Sequence, residues 1–359
     1  MIRAVLTAVL VAGAVFAPTA SASVVAAPTL YVTNGMSDNV AVFTIQPSGD
    51  LDPVGRPVEV PAQPRGIVFL PNGGVAYVVS GTARRISSYR VGPRGELTRF
   101  GEPVETADDP FGITVAPDGR AVYVTSFDGT VSAFAVRADG SLEAVSKPLL
   151  VDGGRLGTRD VEVSPDGRYV FVSTGEPENP TRGVLATFAV RADRTLEPLR
   201  TTEIDPGAFD IGVTPDGRFL YVACSGTDRV LPFRIGPGAV LSPLPAVAAP
   251  VFPVSAVIKG RLMFVTAGGD DAGAGAGVWV FTIGADGTPR PVRDTATAAG
   301  AVPVWPASDG RHLYVSNEDL SARVFGFDVS RDGELAPLAR SPFPAGGRFS
   351  MYQSTAVRP

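Results

Sequence analysis

The chain has 359 residues, 45% of them hydrophobic and 19% charged, with a net charge of −5 at pH 7. That balance offers no basic footprint for nucleic acid, and beyond the N-terminus no apolar run is long enough to span a bilayer. Cys224 is the only cysteine, so no internal disulfide can form and packing must hold the fold.

At the N-terminus Arg3 precedes an apolar run over residues 4–17, and Ala20-Ser21-Ala22 forms a small-residue A-x-A site. This pattern predicts a secretory signal peptide over residues 1–22, cleaved after Ala22. It predicts a secreted or cell-envelope protein whose residues 23–359 form one unit. No cysteine stands near the site to carry a lipid, and no twin arginine precedes it, which favours the general secretory route.

The remainder is built on a repeat. In residues 115–142, Pro117-Asp118-Gly119-Arg120 is turn chemistry: Pro presets φ, Asp can bond its own backbone, and Gly accepts a positive φ. Val122-Tyr123-Val124 follows as a β-branched and aromatic strand. Gly129 breaks it, residues 131–136 form a second strand, and Asp139-Gly140 turns the chain into a third at Leu142.

The same columns recur along the chain. A first aromatic stands at Tyr31, Tyr77, Tyr123, Phe171, Tyr221, Phe264 and Tyr314, each followed by Val. A second stands at Phe43, Tyr89, Phe134, Phe188, Phe233, Phe281 and Phe327. Seven copies spaced by 43 to 50 residues are too short to bury their own faces singly and predict four-stranded blades stacked radially. The expected fold is an all-β, seven-bladed β-propeller. The first copy begins at its second strand, near Thr29. The tail, residues 351–359, matches the innermost strand of other copies, so it should complete blade one and remove two free edges.

In such a blade the Pro-Asp-Gly and Asp-Gly hairpins share one face. The second-to-third loops and the connections between blades occupy the other, where lengths vary. From first to second aromatic is 11 to 13 residues in five copies and 17 in two, the extra length falling in 174–183 and 268–277. Loops on a rigid scaffold are where binding residues concentrate. Counting six residues back from each hairpin Pro or its equivalent gives Arg65, Phe111, Arg159, Phe209, Phe252, Val302 and Gln353 at the mouth of the central channel. The next column is Gly66, Gly112, Asp160, Asp210, Pro253, Pro303 and Ser354. Asp160, Asp210 and Arg159 are the candidate catalytic groups; Arg65, Phe111, Phe209, Phe252 and Gln353 are candidate ligand contacts. The competing reading is that Arg159 and Asp210 merely pair across neighbouring blades. His312, the sole histidine, falls just after a hairpin on the uniform face and reads as packing. Cys224, with no histidine partner nearby, reads as a buried small side chain. Asp270 and Asp271 lack a calcium-ligand spacing, and neither a metal nor a cofactor is expected.

The copies of the first-aromatic motif read YVTN, YVVS, YVTS, FVST, YVAC, FVTA and YVSN. With the DGR hairpins, residues 29–359 resemble the YVTN-type propellers and the seven-bladed lactonase-like family, which includes propeller-type 6-phosphogluconolactonases and fungal carboxymuconate-lactonising enzymes. The resemblance implies a propeller that opens or closes a lactone in its central pocket. It also implies a histidine before an innermost strand, with Arg and Glu from following blades. Here the matching stretch, Gly157-Thr158-Arg159-Asp160, has no histidine; Phe209-Asp210 replaces an Arg-His pair, and Ser225 falls near the expected Glu. An exported protein would also not meet a cytosolic phosphorylated lactone. Two functions follow. One is a lactone hydrolase or lactonising enzyme that lacks the family histidine, with Asp160 or Asp210 as base and Arg159 or Arg65 as oxyanion donor. The other is a non-catalytic module that binds a small anion, glycan or protein on the variable face. In both cases a monomer is expected, and a small ligand, where one is bound, would be anionic or lactone-like.

Overall fold

Each aromatic-Val pair lies in the second strand of a four-stranded antiparallel blade, and all seven first-column aromatics are fully buried between blades. A computed structural model of the chain describes residues 28–359 except 155, 176–180, 250, 271–272, 294–295, 301, 319 and 349–352. The predicted signal peptide therefore lies outside the described residues, as do Asp271 and part of the 174–183 loop. From the axis outward, blade 3 runs Pro110–Val115, Ala121–Ser126, Thr130–Val136 and Leu142–Ala144. Blades 2, 4, 5, 6 and 7 repeat this order, beginning at Pro64–Phe69, Thr158–Val163, Ala208–Val213, Val257–Lys259 and Pro303–Ser308. Two short 3-10 turns are the only described helix, and no described helix is long and apolar enough to cross a membrane.

Blade 1 is closed by the tail. Thr355–Val357 pairs antiparallel with Thr29–Asn34, setting Leu30 against Val357 and Val32 against Thr355. The Arg358 N–H donates to the Thr29 carbonyl, and the Ser354 and Ser316 hydroxyls meet at 2.7 Å, so the last strand is tied to its own blade and to blade 7.

A second device joins the blades. The Tyr31 hydroxyl donates to the Gly95 carbonyl at 2.9 Å in the outer hairpin of blade 2, Tyr77 to Gly140, and Tyr221 to Gly287. Tyr314 of blade 7 donates to Gly49 of blade 1 at 2.8 Å and carries the pattern across the closure. A buried phenol needs an acceptor. The hairpin glycine supplies one at close range because its φ is positive (84° at Gly49) and it has no Cβ: at Gly49 a Cβ would lie 2.4 Å from His312. His312 is thus buried against the hairpin of blade 1, with its Nδ1 2.8 Å from Asp309. It packs, away from the channel mouth. Cys224 is fully buried as well, and burial pushes its thiol pKa up.

One register differs from the sequence count. Tyr77 pairs with Val68 and Tyr123 with Thr114, nine residues apart, whereas Phe264 pairs with Val257 and Tyr314 with Ala307, seven apart. The first hairpins of blades 6 and 7 are two residues shorter, because they turn on Gly260 and Gly310 without a preceding Pro. Val254 and Val304, then Ser255 and Trp305, are therefore the counterparts of Arg65 and Gly66. Phe252 and Val302 instead match Gln63 and Asp109: each has a positive φ and each carbonyl accepts an N–H from the neighbouring second-to-third loop.

Candidate functional site

The second-to-third loops and the interblade connections interleave on one face. Gly81 donates to the Gln63 carbonyl, Phe127 to Asp109, Ser225 to Gly207, Gly268 to Phe252 and Glu318 to Val302. These bonds order the rim of the channel. Inside it lies a cavity of about 210 Å3, bounded by Phe111 of blade 3, Arg159 of blade 4, Phe209 of blade 5, Phe252, Val254 and Gly268 of blade 6, and Val302, Pro303, Val304 and Glu318 of blade 7. Four predicted site residues, Phe111, Arg159, Phe209 and Phe252, thus meet around one space. The shifted register keeps Phe252 at its edge and puts Val254 and Val304 on the wall.

Arg159 is 5% exposed. Its Nε donates to the Gly175 carbonyl at 2.9 Å, and its guanidinium carbon lies 4.0 Å from the Phe127 ring centre, 5.1 Å from Phe209 and 5.3 Å from Phe111. Aromatic faces attract a cation and fix its plane, so the charge is held in place by packing. Arg65 sits beside this group, 5.1 Å over Phe111, and is committed to an ion pair with Asp109 at 2.8 Å and a bond to the Pro110 carbonyl. It supports the Phe111 wall and does not border the cavity.

One step deeper, Asp160 and Asp210 are each 2% exposed and bonded to one another. Asp160 accepts from the Ile211 N–H at 3.0 Å and from the Gln353 amide at 2.8 Å; Asp210 accepts from the Ala256 N–H at 2.5 Å. Burial raises both pKa values, and Asp210, facing a second carboxylate, is raised further. Asp210 therefore keeps the proton and donates it to Asp160. Gln353 also accepts from the Ile113 N–H at 2.7 Å, so the tail of blade 1 reaches across the bore to blades 3 and 4. Asp210 bonds Asp160 and the backbone of blade 6, a different linkage from the Arg159 pairing weighed from sequence. Together these residues form a floor beneath the cavity.

Two carboxyls escaped the sequence analysis. Glu162 lies on the innermost strand of blade 4, takes a bond from the Thr114 hydroxyl at 3.4 Å, and is pushed up to about 8 by burial and the negative Asp160. Its signal was available: an acid in the repeat column otherwise held by Val68, Thr114 and Gly212. Glu318 borders the cavity itself, and burial alone raises its pKa. It stands four residues after Tyr314, the position occupied by Gly81, Phe127, Gly175, Ser225 and Gly268 in other blades. Among the described residues no cluster of His, Cys, Asp and Glu is arranged to hold a metal ion.

No curated protein matches the chain significantly. Among solved structures, a candidate 6-phosphogluconolactonase of Bacteroides fragilis shares 18% identity over 94% of this chain and 98% of its own, with a TM-score of 0.76. The periplasmic gluconolactonase PpgL of Pseudomonas aeruginosa shares 23% identity over 92% of this chain and 98% of its own, with a TM-score of 0.75. At these identities the likeness shows the fold alone. The sequence pattern described as "Lactonase, 7-bladed beta-propeller" matches residues 26–158 and 151–244, together more than half of the chain. Seven closed blades, the YVTN-type columns and this match lead to one conclusion: the chain belongs to the seven-bladed lactonase β-propeller family.

Proposed function

We propose that the protein opens a lactone ring in the cavity between Arg159 and Glu318, after export from the cytoplasm. The observation that carries this reading is a fixed guanidinium and a desolvated carboxyl on the wall of one otherwise apolar cavity. Arg159 donates to the lactone carbonyl and stabilises the oxyanion that forms on attack. In its ionised form Glu318 takes a proton from water, whose oxygen bonds to the carbonyl carbon. As the ring C–O bond breaks, the protonated Glu318 returns that proton to the departing ring oxygen, leaving a hydroxy acid. Burial makes Glu318 a better base than an exposed carboxylate, since its raised pKa lies closer to neutral pH. Asp160 and Asp210 serve in this scheme as a hydrogen-bonded floor that positions the strand carrying Arg159.

The test is hydrolysis of a lactone panel by pH-stat, with Glu318→Gln and Arg159→Gln. Loss of one oxyanion donor lowers kcat by roughly 100- to 1,000-fold, and loss of a general base by about 100- to 10,000-fold. Full turnover by Glu318→Gln would sink the assignment. The burial of Asp160 and Asp210 within a structural network favours the second reading, a non-catalytic module for a small ligand. On that reading both variants alter binding alone and no lactone is consumed.

A further inference from the structure

From the lining of the cavity and its rim, we infer that the ligand is a lactone carrying a hydrocarbon substituent, alkyl or aryl, rather than a polyhydroxylated sugar lactone. This inference rests on the ring-opening reading for its reaction, though not for its recognition. The cavity wall is made by Phe111, Phe209, Phe252, Val254, Val302 and Val304, with Arg159 and Glu318 as its charged groups. One donor and one acceptor suffice for an ester carbonyl and a water. The hydroxyls of a sugar lactone would meet apolar walls, each losing its bonds to water without replacement, at a cost of tenfold or more in affinity.

The rim adds further apolar surface. Of the large hydrophobic residues exposed among the described residues, Met36, Phe127, Val251, Phe252, Val302 and Leu320 stand in second-to-third loops or interblade connections of this face. Phe127 continues directly from the wall, with its ring 5.8 Å from that of Phe111 and stacked on Arg159. Phe127, Phe252 and Val302 form an apolar collar beside the pocket that gives a hydrocarbon chain somewhere to lie.

The test compares glucono-δ-lactone with γ-lactones bearing alkyl chains of increasing length. Turnover is followed by pH-stat, and binding by calorimetry with the matching 5-alkyl-2-pyrrolidinones, which resist ring opening. Each methylene that reaches the collar should raise kcat/KM and lactam affinity by up to about fourfold, levelling once the chain clears the rim. Phe252→Asn keeps a residue type that tolerates the positive φ found there and removes part of the wall. It should flatten the chain-length dependence without improving gluconolactone. A preference for glucono-δ-lactone, or affinity independent of chain length, would overturn the inference. Chain-length-dependent lactam binding with no turnover of any lactone would refute ring opening and uphold the apolar ligand class.

Discussion

Glu162→Gln should stabilise the protein at alkaline pH and leave it unchanged at acidic pH. The Glu162 pKa rises from 4.5 in the unfolded chain to about 8 in the fold, because the carboxyl is desolvated beside the negative Asp160. An acid whose pKa is raised on folding contributes nothing unfavourable below its unfolded value. It costs stability progressively as pH climbs through the window between the two values, then a constant amount above the upper one. At ~1.36 kcal/mol for each pH unit of that window the ceiling is ~5 kcal/mol. The Glu162 side chain is partly exposed to the bore, and solvent screening brings the expected effect to about 2 kcal/mol. With an unfolding entropy of ~2.1 cal/mol/K per residue, about 2 kcal/mol corresponds to roughly 3 °C in Tm for a chain of this length. Glutamine keeps an acceptor for the Thr114 hydroxyl and carries no charge. Thermal melts at pH 4 and pH 9 should therefore coincide at the lower pH and separate by about that amount, variant above wild type, at the higher. Equal offsets at both pH values, or a variant less stable at pH 9, would refute the burial argument for this carboxyl.

Three further outcomes follow from the same geometry. Removing residues 351–359 strips the inner strand from blade 1 and the Gln353 bonds across the bore, so the truncated protein should aggregate or melt far below the full chain; an unchanged Tm would disprove closure by the tail. Asp210→Asn should be tolerated, with turnover within about twofold and no loss in Tm, since its amide can donate to Asp160 while its oxygen accepts from Ala256; a hundredfold drop in kcat with the fold intact would return Asp210 to the chemistry. His312→Phe should cost about 1–2 kcal/mol through the lost Asp309 bond, read as a lower Tm, with ligand binding and turnover unchanged; a hundredfold loss of activity in a folded variant would contradict its placement away from the channel.

The repeat alone determined the architecture, because aromatic-Val strands between turn residues at a near-constant period have few ways to bury both faces. The same argument brought the tail to blade 1, where pairing with Leu30–Val32 removes two edges. It also brought Arg159, Phe111 and Phe209 to one mouth, since position along an innermost strand fixes height in the channel; Phe252 reached the same mouth from the connection before its strand. What the tertiary structure decided lay in contacts between residues remote in sequence. The two-residue shift in blades 6 and 7 follows from hairpin length, which moves every side chain before it along the wall; it put Val254 and Val304 beside Arg159. Asp160 and Asp210 read in isolation as candidate bases at the channel mouth, yet neighbouring blades set their carboxyls together, where one must keep its proton. Glu318 sits in a loop column of small and mixed residues. It became a site residue only when the ring carried that loop to within reach of the same cavity as Arg159, because proximity between blades is a property of the closed ring and of no single repeat.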